Sequence, residues 1–161
     1  MLGKAVSESA AEFQHLVLPP DINAMGTIFG GRIMEWIDKG AAIVAMRHCR
    51  SVAVTASMDA LNFYSPVLLG DIVILKVSVN YVDRTSMEIG VRVEAEDPKT
   101  GLRRHTSSAY LTFVALDDNK KPVQVPELVM NTSEAKRRFE EGKKRREARL
   151  ALKKLLEQKE E

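Results

Sequence analysis

Apolar residues change their spacing along this chain, and the changes mark out its elements. Between about Gly31 and His48, Ile33, Ile37, Gly40, Ala41 and Val44 recur at the i, i+3, i+4 intervals of one helical face. Beyond Ser51 the period falls to two. Ser51–Phe63 reads as a strand, and Tyr64–Gly70 turns the chain. In Asp71–Val82, one face holds Val73, Leu75, Val77, Val79 and Tyr81; the other holds Lys76, Ser78 and Asn80, with Ile72 and Ile74 opening it apolar. Ser86–Glu96 alternates most cleanly, with Met87, Ile89, Val91, Val93 and Ala95 opposite Glu88, Arg92, Glu94 and Glu96. After the turn Asp97–Gly101, Arg103–Leu116 sets Ala109, Leu111, Phe113 and Ala115 on its inner face. A period of two predicts one buried and one wet face, and the short links predict antiparallel hairpins.

Two further elements flank this body. Phe13–Leu18 reads as a short strand ahead of the Pro19-Pro20 turn, and a second helix is predicted from about Ser133 to Lys159. Thr132 or Ser133 would cap that helix, with Glu134 in its first turn. Its apolar residues are sparse before Leu150, so it is expected to be solvated or packed on a partner subunit. One long helix followed by long antiparallel strands is an α+β layout, with the small face Gly40-Ala41-Ala42 letting a curled sheet wrap closely. Such a sheet has edges to protect. The organisation is a frayed segment over residues 1–12, one domain over 13–118, and a linker with a charged helix over 119–161.

Composition narrows the field. The net charge is +2, with 11 Lys/Arg against 7 Asp/Glu from Thr132 onward and 13 against 15 before it. Because Glu interleaves with the basic residues of the tail and no aromatic platform accompanies them, nucleic acid is disfavoured as a partner. A single cysteine, Cys49, excludes an internal disulfide and fits a reducing, cytoplasmic setting. No run is apolar enough to span a membrane, and the first residues lack the apolar stretch of a signal peptide. His15, His48 and His105 are widely separated, so no metal site is expected, and no nucleotide-binding or serine-elbow motif occurs.

Candidate chemistry gathers around the first helix. Asp38 sits on the shoulder of its apolar stripe, where an ionised carboxylate needs compensation. Gly30-Gly31 leave the helix start without side chains, so its free N–H groups and positive dipole end are open to an oxygen. Asn23 adds a neutral amide able to orient a water or a carbonyl. Amide, carboxylate and bare helix end together suit acyl transfer. Gly31 and Asp38 are seven residues apart, about 10 Å of helix. One carbonyl carbon cannot touch both. If both act on one substrate, the second comes from another copy, and the site lies between subunits.

The run LPPDINAMGTIFGGRIMEWID, with VNYVDRTSMEIGVRV and AYLTFVAL after it, resembles the hotdog-fold acyl-CoA thioesterases of the acyl-CoA hydrolase type. Within them it is most similar to small single-domain bacterial, YciA-like enzymes. The resemblance covers roughly Phe13 to Asp118. It implies the hotdog fold, and hydrolysis of acyl-CoA to a free acid and coenzyme A, with no cofactor beyond the coenzyme A of the substrate. It implies that Asn23 and Asp38 are the catalytic pair, supplied by different units of a homodimer, with hexamers as a family expectation. For coenzyme A it points to Arg84, Thr85 and Ser86, a cation and two hydroxyls in a hairpin turn; Gly30 and Gly31 would meet the thioester. Asp38 would be general base or nucleophile, and Tyr64-Ser65-Pro66 would border the substrate groove. Asp59 is read as structural. The competing reading is a non-catalytic acyl-CoA-binding protein; a hotdog hydratase would need a histidine nearer Asp38 than His48.

Overall fold

The structure, a computed structural model, describes residues 1–158. Its centre is α1 (Gly30–Cys49), which buries Ile33, Ile37, Gly40, Ala41, Val44, Ala45 and His48. The predicted stripe is the buried one, extended by one turn at its end. Five strands wrap it: β2 (Ala11–Leu16), β3 (Val52–Met58), β4 (Ile72–Val82), β5 (Ser86–Glu96) and β6 (Arg103–Leu116). They pair antiparallel in the order β2-β4-β5-β6-β3. The inner faces of β4, β5 and β6 supply Val73, Leu75, Val79, Met87, Ile89, Val93, Leu111 and Phe113, all 1% exposed or less. This is the curled antiparallel sheet around a central helix of the hotdog fold, an α+β architecture. Close wrapping depends on Gly40, where a Cβ would stand 3.2 Å from the Phe13 ring.

Both ends of the chain differ from the sequence expectation. Residues 1–12 do not fray throughout. β1 (Lys4–Ala5) pairs in parallel with β7 (Leu128–Val129), and Lys4 Nζ donates to the His48 carbonyl at 2.7 Å, capping the last turn of α1. Beneath this cap His48 is fully buried, with Nε2 2.9 Å from the Pro126 carbonyl oxygen. Burial holds its imidazole below the ordinary value, against the pull of that hydrogen bond.

The second helix, α2 (Ser133–Glu157), is capped by the Thr132 hydroxyl, which accepts from Ala135 N at 3.1 Å; the predicted end at Lys159 lies outside the described residues. It is neither free in solvent nor waiting wholly for a partner. It lies across the outer face of this chain's own sheet, so the face expected to be wet is largely covered. Glu88 is 1% exposed there, receiving a two-pronged hydrogen bond from Arg145 at 2.7 and 3.1 Å. Arg145 also stacks over Tyr110, 3.7 Å from the ring centre. Burial works against the Arg145 charge, but Glu88 holds its pKa above the usual value. A period of two reports which residues share a face, not what covers that face. Here the cover is an element more than 40 residues further on.

Candidate active site

Residues 17–29 cross from β2 to the start of α1 at the sheet end where β4 begins. Asp21 fixes the crossing: its carboxylate accepts from Leu18 N at 2.9 Å and pairs with Arg32 at 3.0 Å in the first turn of α1. Phe29 is the N-cap residue but provides no side-chain cap. The N–H groups of Arg32 and Ile33 bond back to the Phe29 carbonyl; those of Gly30 and Gly31 have no backbone acceptor among the described residues. Gly31 is exposed, and nothing lies within 4 Å of where its Cβ would be. This helix end is therefore a pair of aligned, unused donors at the positive end of a 20-residue dipole.

Asn23 closes the loop on itself. Its Oδ1 accepts from Met25 N at 2.9 Å and Thr27 N at 3.3 Å, while Nδ2 donates to the Thr27 hydroxyl at 2.9 Å. Backbone donors occupy the oxygen, which fixes the amide's orientation and leaves one Nδ2 hydrogen unused. Thr27 and Gly30 line a cavity of about 350 Å3 together with Phe63, Tyr64, Ser65 and Pro66. Asp38 stands two turns along α1, half-buried. One of its oxygens accepts from the Thr55 hydroxyl of β3 at 2.6 Å. The second oxygen has no hydrogen-bond partner among the described residues.

Asn23 and the bare helix end thus lie together at one end of the sheet, while Asp38 lies further along the same helix beside Thr55. Thr55 was not among the sequence-derived site residues. Only the packing of β3 beside α1 brings its hydroxyl to a carboxylate 17 residues away. Asp59 pairs with Arg149 at 2.9 Å, in keeping with the structural role read for it. Arg84, Thr85 and Ser86 sit at the β4–β5 turn, at the opposite end of the sheet from Asn23. A single copy does not bring them to it. The turn is braced by backbone bonds from Ala115 N to the Thr85 carbonyl and from Val125 N to the Arg84 carbonyl, both 3.0 Å, and the Arg84 side chain is exposed. Among the described residues no group of three or more His, Cys, Asp or Glu side chains could hold a metal ion, and no helix is long and apolar enough to cross a membrane.

Comparison with known proteins decides among the chemistries this geometry permits. Residues 25–102 match the family model of the Thioesterase superfamily. The chain is 48% identical over 118 residues to the uncharacterized acyl-CoA thioester hydrolase YkhA of Bacillus subtilis, covering 73% of this chain and 69% of that one. The chain belongs to the thioesterase superfamily, and it is a thioesterase. It spans 37% of the cytosolic acyl coenzyme A thioester hydrolase of Rattus norvegicus, to which it is 41% identical over 87% of its own length. Among solved structures, this thioesterase superposes on the acyl-CoA hydrolase of Staphylococcus aureus, solved with butyryl coenzyme A and coenzyme A. The TM-score is 0.90 at 36% identity, over 97% of this chain and 95% of that one. Alanine variants of an asparagine, an aspartate and a threonine of that hydrolase have also been solved, the first with coenzyme A. A hexameric acyl-CoA thioesterase superposes with a TM-score of 0.88 at 42% identity, over 94% of this chain and 99% of that one.

Proposed function

We propose that this thioesterase hydrolyses acyl-CoA to a free acid and coenzyme A at a site shared by two copies of the chain. The observation that carries the shared site is the separation along α1: the open Gly30 and Gly31 amides and the Asp38 carboxylate cannot reach one thioester from the same helix. In this reading β3, one of the two edge strands of the sheet, pairs with β3 of a second copy. Val52 and Val54 on it are 57% and 43% exposed, and Met25, Phe29 and Met34 add apolar surface around the helix start. The intervals of 15 and 17 residues between the asparagine, aspartate and threonine varied in the Staphylococcus aureus hydrolase equal those between Asn23, Asp38 and Thr55 here, which supports all three as site residues. Assembly of such dimers into a hexamer accords with the hexameric relative.

The chemistry follows from what each group has free. The Gly31 N–H and the unused Nδ2 hydrogen of Asn23 are donors, so both suit the thioester carbonyl and the negative oxygen that develops on attack. Asn23 accordingly orients the carbonyl rather than the water. Thr55 holds one Asp38 oxygen, leaving the other to take a proton from water or to attack the carbonyl carbon. Thiolate of coenzyme A leaves. Arg84, Thr85 and Ser86 would meet phosphate oxygens of the coenzyme. The test is release of free thiol from a panel of acyl-CoAs, followed with a thiol-reactive dye. The wild type is expected to turn over, and Asp38→Asn to keep its fold and lose roughly 100-fold or more in kcat. Binding of acyl-CoA without thiol release would instead support a non-catalytic acyl-CoA-binding protein.

A further inference from the structure

Arg138, Gly142, Arg145 and Arg149 form one stripe of α2 facing the sheet, at intervals of four, three and four, with Phe139 against Tyr81 and Arg146 paired with Asp83 along its flank. Their partners march across the strands. Arg138 donates to Ser78 on β4, Arg145 binds Glu88 on β5 and covers Tyr110 on β6, and Arg149 pairs with Asp59 just past β3 at 2.9 Å while also reaching back to Glu88 at 3.3 Å. From Arg138 to Arg149 is about 16 Å of helix, close to three strand spacings of ~4.8 Å. At Arg149 the sheet ends, because β3 is its edge. The helix does not. Residues Leu150–Glu157 run on for ~12 Å, the width of two to three strands.

The stripe runs on too, and its chemistry changes. Continuing at three and four residues, it reaches Leu152 and Leu156, which are 57% and 55% exposed, with Leu155 beside them at 54%. Arg149, Leu152, Lys153, Leu156 and Glu157 make up this open face of the helix end. A helix face that meets sheet for four contacts and then turns to leucine is shaped for more sheet beneath it. We infer that the end of α2 is a strap across the subunit boundary, its leucines seated on the outer face of a second copy of this chain. The inference rests on the edge-to-edge pairing proposed above, in which the sheet continued through β3 lies under Leu152 and Leu156. Each copy would thus be held from the β3 edge and from above.

The test is sedimentation velocity across a dilution series, comparing the wild type with the double variant Leu152→Glu, Leu156→Glu. The expected result is a dimer dissociation constant raised at least about 100-fold, with unchanged near-UV and far-UV circular dichroism. Hydrogen exchange on the unaltered protein gives a second reading, in which backbone amides of 150–157 lose protection as dilution splits the dimer. A wild-type monomer overturns both this inference and the edge pairing. A dimer equally tight in the variant, or exchange at 150–157 indifferent to dilution, overturns the strap alone. So does loss of only a higher assembly, which would place the leucines between dimers. A retained dimer that stops floating with phosphatidylcholine vesicles would assign them to a lipid surface instead.

Discussion

Thr55 is the residue whose role is clearest once the chain is folded. Its hydroxyl gives Asp38 a hydrogen bond of 2.6 Å, and bonds to a charged acceptor contribute about 1.5–3 kcal/mol. Thr55→Ala is therefore expected to lower kcat by about 10-fold or more while KM stays near the wild-type value. Thr55→Ser restores the hydroxyl and should recover most of the rate. Equal kcat in the alanine variant would show that Asp38 does not depend on this bond. Asn23, Asp38 and Gly31 can be nominated from the sequence because short-range spacing and residue type single them out. Thr55 cannot, since nothing local distinguishes a strand threonine facing a carboxylate from one facing water. From the sequence alone, Asn23 is an amide that suits either a water or a carbonyl. Only the hydrogen bonds within its loop show which of its atoms is free.

Among the elements, α2 shows where pattern reading runs out. The strands β5 and β6 have the predicted bounds, and α1 is predicted to within a residue at each end, because period and length report them directly. The covering of Glu88 and Asn80 was invisible, because it depends on where a distant helix lands. Gly142 makes that landing possible. A Cβ there would lie 2.8 Å from the Tyr81 Cβ and 3.1 Å from a Glu88 oxygen, so α2 must approach with no side chain at this position. Gly142→Ala gains helix propensity but forces α2 off the sheet, and the packing penalty of about 1–3 kcal/mol is expected to win. Urea unfolding should show a lower midpoint. An unchanged or higher midpoint would mean that α2 adapts at little cost. The same reasoning explains the tied-down N-terminus: Lys4-Ala5 has no strand signature of its own and gains its order from Leu128-Val129.

For the whole molecule, one copy holds every proposed catalytic group but in two places. Asn23 and the α1 start are at one, and Asp38 with Thr55 is at the other. The Arg84 turn lies at the far end of the sheet. Two copies related by a two-fold axis would bring one chain's first set to the other chain's second. Subunit mixing tests this directly. Asn23→Ala and Asp38→Ala are each expected to be nearly inactive alone. Co-refolded in equal amounts, they would form heterodimers with one intact site and one doubly altered site, returning about one quarter of wild-type thiol release. If instead each site draws Asn23 and Asp38 from the same chain, every site in the mixture lacks one of them. Activity that stays at the level of the separate variants would contradict the shared site.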